Sequence, residues 1–482
     1  MFCARLVLNG DLNLTGRDQS NSIAIAASAS SPCKAAGSMT PDPISCNFFP
    51  SDNAMTLGLS TKIAFWLYNL VWGIAIPWLR LNRRLAQGFA QRKLSQVEFM
   101  RADLWIQAAS AGEAFLAWEL LRKIKPKRPL GVLLTSNTTQ GIEILRQAIA
   151  ERKSHDNMLD LQVTYFPFDK PAIMHSAVTR IKPGVMVLLE AELWPGHLLA
   201  LKTHGCRIVI VNGRLTQRSL AGYCRWPSIW RLLKPDKILA ISENDAGRFS
   251  TLFGPEGIEL MPNIKFDRIS TALKTDTGPA GQIEKMLPRD APFVTLGSIR
   301  RPEEMTVKHI ITELLRSHPE AVIGLFPRHL QRTTFWQETL TRLDIRWFLR
   351  STTQTQIPPG SVILWDTFGE LPTAYRYSTA AFVGGSLAPL GGQNFLETLA
   401  CGVIPVTGPS WENFAWVGRD IISSGLLKVA KDGHEVARRL IEAIEQPASH
   451  QQVSERVNSY LKDRQGGTEM ACRAIMDLLE PP

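Results

Sequence analysis

The segment Gly384-Gly385-Ser386-Leu387-Ala388-Pro389-Leu390-Gly391-Gly392-Gln393-Asn394-Phe395-Leu396-Glu397 follows an apolar run, Ala380 to Val383, and reads as opening a helix through Leu399. Glycines directly after a strand let the backbone approach a ligand closely, and free N–H groups at the next helix start can meet a phosphate. Asn394 and Glu397 stand three apart, so on one helix they share a face and could hold the vicinal hydroxyls of a sugar. A tight turn with a helix cap accounts for the same residues, and alone it is the simpler reading. A second constellation lies in the other half of the chain, where Trp105-Ile106-Gln107-Ala108-Ala109-Ser110-Ala111-Gly112-Glu113 runs from a strand through a Gly turn into a helix. Glu113 falls in the first helical turn, where a carboxylate can take a proton from a hydroxyl. Equally, it can do no more than complement the helix dipole.

Further polar strand ends surround these two. Thr135-Ser136-Asn137-Thr138-Thr139-Gln140-Gly141 can bind phosphate or sugar hydroxyls through Ser136 and Thr138, or simply cap a helix. Glu190-Ala191-Glu192-Leu193-Trp194-Pro195 puts two carboxylates and a Trp at another strand end. In Asn212-Gly213-Arg214-Leu215-Thr216-Gln217-Arg218-Ser219, the pattern predicts Arg214 and Arg218 on one helical face. The second half adds Gly297-Ser298-Ile299-Arg300-Arg301-Pro302-Glu303-Glu304, then Pro327-Arg328-His329, then Asp366-Thr367-Phe368-Gly369-Glu370-Leu371. Arg328 at a strand end is a natural phosphate ligand through charge-assisted hydrogen bonds. The chain has no Asp-x-Asp triplet to suggest a metal-held nucleotide diphosphate, no Walker sequence and no serine nucleophile elbow.

These turns need strands and helices to carry them. Leu104 to Ala108, Leu130 to Thr135, Val185 to Leu189, Arg207 to Val211 and Lys237 to Ile241 read as short buried strands. Amphipathic stretches such as Glu113 to Lys123 and Gly141 to Glu151 lie between them, which argues for a parallel sheet with helices on both faces. Residues 267–288 are poor in apolar side chains and suit a linker. The alternation then restarts with Phe293 to Gly297, Ala321 to Phe326, Val362 to Trp365, Ala380 to Val383 and Val403 to Val406. The expectation is therefore an α/β chain with a first domain over 95–272, a linker at 273–289 and a second domain over 290–482. Two doubly wound, Rossmann-like domains facing a cleft have the shape of a GT-B glycosyltransferase or a sugar-nucleotide epimerase.

The chain has 482 residues, too many for one core, and is 45% hydrophobic and 20% charged, as globular proteins are. Its net charge of +10 suits an anionic partner. No aromatic-basic stacking platform accompanies that charge, so nucleic acid ranks low as the partner. The seven cysteines include no Cys-x-x-Cys pair, which points to a reducing compartment without a structural metal. Ile63 to Leu79 is uncharged and aromatic-rich, and Arg80, Arg83, Arg84, Arg92, Lys93 and Arg101 follow it. That order predicts, over 55–94, a short membrane anchor or an interfacial helix with its basic side in the cytoplasm; a buried core helix is the competing reading. Residues 1–54 show no helical or strand period, and the expectation is a disordered leader or a natural start at Met55.

Taken in order, the segments resemble the bacterial 3-deoxy-D-manno-octulosonic acid (Kdo) transferases of lipid A and lipopolysaccharide biosynthesis. The likeness runs from about Leu59 to the C-terminus. It rests on the anchor with its basic tail, Ser-x-Gly-Glu, Thr-Ser-x-Thr, Glu-Leu-Trp-Pro, Asn-x-Arg-Leu, Asn263-x-Lys265-Phe266-Asp267, Pro-Arg-His, Asp-Thr-x-Gly-Glu-Leu and Gly-Gly-Ser…Asn-x-x-Glu. The resemblance implies a GT-B fold and an inverting transferase at the inner membrane that uses CMP-Kdo, needs no metal or other cofactor, and takes a lipid A precursor as acceptor. It implies that Glu113 is the base and that Ser298, Arg328, Gly385, Asn394 and Glu397 belong to the CMP site; Ser110, Ser136, Thr138, Glu192 and Arg214 are the candidates for the acceptor side. The chain departs from the family pattern at Gln107 and Gln393, each in place of His, at Gly196 in place of Asn, and at Arg300 in place of the His of Ser-Thr-His-x-Gly-Glu-Glu. The missing His residues bear on how the sugar carboxylate is held and on donor identity, which leaves a related acid sugar open beside Kdo. The alternatives are a GT-B transferase for another nucleotide sugar and a catalytically silent homologue in envelope assembly.

Overall fold

The computed structural model describes residues 58–95, 101–153, 158–268 and 280–480. The leader, the Met55 start and residues 273–279 of the expected linker lie outside the described residues; its remainder includes a short helix, Ala280–Met286. Internal contacts divide the chain into two units, Met1–Met261 with Glu469–Pro482, and Pro262–Thr468. The sequence reading ended the first domain at 272 and kept everything from 290 in the second. The contacts move the division to 261/262 and return the last helix to the first unit, where Arg207 donates to the Leu478 carbonyl (2.7 Å).

The first unit is a sheet of β1 (Leu104–Ala108), β2 (Leu130–Ser136), β3 (Leu159–Tyr165), β4 (Val185–Leu189), β5 (Arg207–Gly213), β6 (Lys237–Ala240) and β7 (Ile258–Leu260). The spatial order is β3-β2-β1-β4-β5-β6-β7, and every pairing is parallel. A parallel strand is covered on both faces, so it needs a continuous apolar run. Accordingly β1 and β4 are buried along their whole length. Chain direction reverses across the sheet between β1 and β4, which opens a crevice at their carboxyl ends.

The second unit repeats the plan with β8 (Phe293–Ile299), β9 (Val322–Pro327), β10 (Trp347–Leu349), β11 (Val362–Leu364), β12 (Ala380–Val383), β13 (Pro405–Thr407) and β14 (Lys428–Val429). Its order is β10-β11-β9-β8-β12-β13-β14, again all parallel, with the switch between β8 and β12. Its core packs Val294, Leu296, Val307, Ile310, Trp336 and Phe382 between sheet and helices.

Ahead of the first sheet, helix α1 (Leu59–Leu79) has two faces. Phe65, Trp72 and Ile76 are buried against the unit, Trp72 lying 6.0 Å from the Phe168 ring. Two polar contacts staple the same face. Tyr68 donates to Asp169 Oδ2 (2.9 Å), and the Ala172 N–H donates to Asn69 Oδ1 (3.2 Å). On the opposite side Leu59, Ile63, Trp66, Leu70, Ile74 and Trp78 are exposed. The helix is long and apolar enough to cross a membrane by length and composition. Asn69, which weakens a spanning reading of the sequence, is here a docking residue.

Candidate active site

In the first unit the polar turns gather at the carboxyl ends of β2, β1 and β4, which are neighbours. Helix α2 (Ala111–Lys123) begins at the N-cap Ser110, whose Oγ accepts the Glu113 N–H (3.3 Å). The Glu113 carboxylate turns back to accept the Ala109 N–H (2.7 Å) and the Ser110 hydroxyl (3.0 Å). This is reciprocal capping, so the bland role foreseen for a first-turn Glu is real. It is not the whole account, because Glu113 is buried and Glu192 and Glu190 lie within electrostatic reach. Burial first, then Glu192 and Glu190, push its pKa well above the ordinary carboxylate range, against the two hydrogen bonds. Burial also raises the Glu192 pKa, while the Trp194 indole, donating at 2.8 Å, pulls it down. Glu190 carries a left-handed φ of 59°, a conformation that costs a non-glycine residue of order 1 kcal/mol and clusters at functional sites. A buried carboxyl with a raised pKa is a candidate for proton exchange.

Of the other residues singled out in this half, Ser136 and Thr138 serve local geometry. The Ser136 Oγ accepts the Thr138 N–H (3.4 Å), and Thr138 Oγ1 accepts the Gly141 N–H (3.1 Å). Arg214 and Arg218 do not share a helical face. Arg214 lies in the turn after β5, and the helix begins only at Gln217, because Thr216 takes the N-cap and accepts the Ser219 N–H. No hydrogen bond or ion pair ties Arg214 to the carboxylates among the described residues. Arg92 is also corrected. It is 3% exposed and no part of a membrane-facing basic patch; its guanidinium donates to the carbonyls of Asn137 (2.7 Å) and Phe166 (3.3 Å) and lies over the Tyr165 ring. Gln107 and Gly196 have structural explanations as well. Gln107 lies fully buried between Thr135 (2.5 Å) and Asn137 (3.3 Å). A Cβ at Gly196 would stand 2.7 Å from the Asp169 carbonyl oxygen, so the Asn of the resembled pattern does not fit here without a shift.

In the second unit, the site residues sit at the ends of β9, β8 and β12, again neighbours. Ser298 has φ 57° where the β8–β9 register shifts, a bulge that carries the chain into Arg300. The Arg328 N–H donates to the Ile299 carbonyl (2.8 Å), so the Arg300 and Arg328 backbones emerge side by side. His329 feels both: burial, then Arg300, then Arg328 lower its pKa. Asn394 precedes the helix Leu396–Ala400 and is not part of it. It still meets Glu397 (Nδ2 to Oε1, 2.8 Å), while its Oδ1 accepts the Leu396 N–H (3.3 Å). Burial raises the Glu397 pKa, opposed by that bond and by the charges of Arg268 and Arg328.

The N–H groups of the loop directly after β12 are already taken. Glu303 is 1% exposed and its carboxylate accepts from Gly385 (2.6 Å), Ser386 (2.8 Å), Leu387 (2.8 Å) and Arg300 (3.2 Å). The left-handed Gly385, φ 67°, wraps the loop around it. Its neighbour Glu304 takes a forked pair from Arg332 (2.8 and 2.6 Å). Neither glutamate stood out in sequence beyond its motif, since nothing local tells a buried backbone clamp from a solvated pair. Glu370 of the Asp-Thr-x-Gly-Glu-Leu motif is a brace, bonded to Trp365 and to the buried Arg350 (each 2.8 Å).

Two parallel-sheet units with polar crevices at their switch points define an α/β protein of the GT-B class. A glycosyltransferase from Rickettsia africae aligns over 80% of this chain and 100% of its own at a TM-score of 0.51 and 10% identity, a likeness of fold. Residues 80–268 match the family model described as 3-deoxy-D-manno-octulosonic-acid transferase (kdotransferase). The 3-deoxy-D-manno-octulosonic acid transferase of Bordetella pertussis is 29% identical over 79% of this chain and 88% of its own. That of Haemophilus influenzae is 28% identical over 78% and 86%. The chain is thus similar to Kdo transferases over most of its length, and the family model matches it within the first unit and the turn that follows.

Proposed function

We propose that this protein moves Kdo from CMP-Kdo onto a lipid A precursor at the inner face of the cytoplasmic membrane, with inversion and without a metal ion. The observation that carries the mechanism is Glu113, a buried carboxyl whose pKa burial and two neighbouring glutamates raise. In this reading Glu113 takes the proton of the acceptor hydroxyl as that oxygen attacks the anomeric carbon. The bond to the phosphate oxygen breaks, and CMP leaves with the electron pair. Glu192 and Glu190 keep the proton affinity of Glu113 high, and Ser110 and the Ala109 N–H hold its carboxylate in place. Arg328, on the β9 end, neutralises the leaving phosphate, the work a divalent ion does elsewhere. Asn394 and Glu397, held together at 2.8 Å, take the ribose hydroxyls, with Ser298 and Gly385 beside them. Ser136, Thr138 and Arg214 remain acceptor-side candidates.

The exposed face of α1 gives the membrane its place in this reading. The helix is stapled to the first unit along Phe65, Tyr68, Asn69, Trp72 and Ile76, so its free apolar face lies along the bilayer surface with Arg80 at the interface. The test of the whole reading is transfer from CMP-Kdo, generated in situ, to a tetra-acylated lipid A precursor in the presence of EDTA, followed by mass spectrometry. A gain of one or more Kdo units is expected. No gain, with UDP competing for the donor site better than CMP, would hand the case to another nucleotide sugar.

A further inference from the structure

We propose that Arg300 binds the carboxylate of the transferred sugar, beside Arg328 on the phosphate, and that Glu303 is the positioning residue that holds Arg300 there; this rests on the CMP-Kdo reading above. Such a donor carries two separate negative charges, a phosphodiester and a sugar carboxylate. A site for it needs two anion-binding groups at different points. The backbone amides of Gly385, Ser386 and Leu387 are the first candidates, but Glu303 already occupies them. Side-chain cations must then do both jobs.

Two are placed for it. Arg300 and Arg328 leave adjacent strand ends joined by the Arg328 N–H to Ile299 carbonyl bond, and neither forms an ion pair among the described residues. They are not equivalent. Arg328 lies within electrostatic reach of Glu397, on the side given to the nucleotide. Arg300 is tied instead to the glycine loop, because one carboxylate oxygen of Glu303 accepts both the Arg300 N–H and the Gly385 N–H. A guanidinium presents a planar fork that matches a carboxylate bidentately. The Arg at 300 thus stands where the resembled pattern has His, and supplies a planar guanidinium there.

Glu303 gives this placement its rigidity. Its four accepted N–H groups knot the β8 end to the β12 loop, and a buried carboxylate so fully bonded does not wander. The test compares R300Q, R300K, R328Q and E303Q with the parent enzyme, measuring CMP affinity by calorimetry and steady-state constants for CMP-Kdo. R300Q is expected to leave CMP affinity within about twofold and to raise the CMP-Kdo KM about 10- to 100-fold, the loss of a charge-assisted pair. R300K recovers part of that loss, and R328Q weakens CMP and CMP-Kdo together. E303Q is expected to raise the CMP-Kdo KM with kcat and the acceptor KM little changed, a split that general destabilisation does not produce. Equal loss of CMP and CMP-Kdo in R300Q, or no change in either, overturns the assignment of Arg300. A uniform fall of every constant in E303Q overturns its positioning role. Failure of the parent enzyme to bind CMP or transfer Kdo strikes the donor reading itself and is seen before any variant is made.

Discussion

The two units repeat one plan and fill it with opposite charge. In each, three neighbouring central strands deliver polar turns to a switch point, and in each a buried glutamate accepts hydrogen bonds from the turn there, one backbone N–H and a hydroxyl at Glu113 and four backbone N–H groups at Glu303. In the first unit that glutamate, Glu113, has two further carboxylates for company, and its negative charge is destabilised. In the second, Glu303 is satisfied by four N–H groups and flanked by Arg300 and Arg328. Crowding carboxylates makes a group that wants a proton; saturating a carboxylate with amides makes a scaffold for cations. The same residue type at equivalent places thus yields the proposed base in one unit and a rivet in the other. Position in the fold says where chemistry is possible, and the neighbours decide which chemistry it is.

The largest break in this comparison is Glu113→Gln, which keeps an oxygen for the Ala109 N–H and so spares the cap. Loss of a general base lowers kcat about 10²- to 10⁴-fold. CMP affinity, which the proposed reading assigns to the other unit, is expected to stay within about twofold, given that the change removes no cation from the proposed anion site. If calorimetry shows CMP affinity falling in step with kcat, Glu113 is structural. The converse break, Arg328→Gln, is expected to weaken CMP about 10- to 100-fold, the size of one charge-assisted pair, with the acid limb of the pH–rate profile unmoved.

A finer test separates the crowding from the base itself. The Glu192 charge raises the Glu113 pKa, so Glu192→Gln lowers it. The base is active when deprotonated, and therefore the acid limb of kcat/KM against pH moves to lower pH, with relative activity gained on the acid side. An unmoved limb would mean that the titrating group is not Glu113.

How far the sequence carries the argument can be judged from the strands. The central strands were readable because parallel strands covered on both faces leave apolar runs such as Val185 to Leu189. The strands that sequence reasoning passed over, β3, β7, β10 and β14, are the four sheet edges. Leu159-Asp160-Leu161-Gln162-Val163-Thr164-Tyr165 alternates instead of running apolar, and Lys428-Val429 is too short to register. Edges face solvent on one side and are kept short or polar, which erases the signal. The candidate site divides in the same way. The pairing of Asn394 with Glu397 and the capping contacts of Glu113 are legible in local motifs because the partners lie within four residues. Glu303 reaches a loop more than eighty positions away, and Arg92 braces turns 45 and 74 positions away. No local pattern records such closures, so the occupation of the loop amides by Glu303 is visible only in the folded chain.

The smallest effect tests the joint between α1 and the first unit. Asp169 is buried, its pKa pushed up to about 7, and it accepts Gly196 N–H (3.0 Å), His197 N–H (2.6 Å) and the Tyr68 hydroxyl. Those two amides open the helix that directly follows Trp194, so one carboxylate links α1 to the Glu190–Trp194 turn beside Glu113. Tyr68→Phe keeps the ring packing and deletes only the hydroxyl, a loss of about 1–3 kcal/mol for a hydrogen bond to a charged group. The raised pKa sets the pH window. Below it Asp169 is largely protonated, and the charge-assisted part of the Tyr68 bond is already lost; above it the full bond is at stake. The expected result is faster amide exchange in 59–79 and in 195–198, larger at pH 8 than at pH 6, with the sheet amides unchanged. Exchange that quickens in α1 alone would show that the helix sits on the unit without steadying the turn that Glu192 shares, and the crowding at Glu113 would then be the work of the sheet by itself.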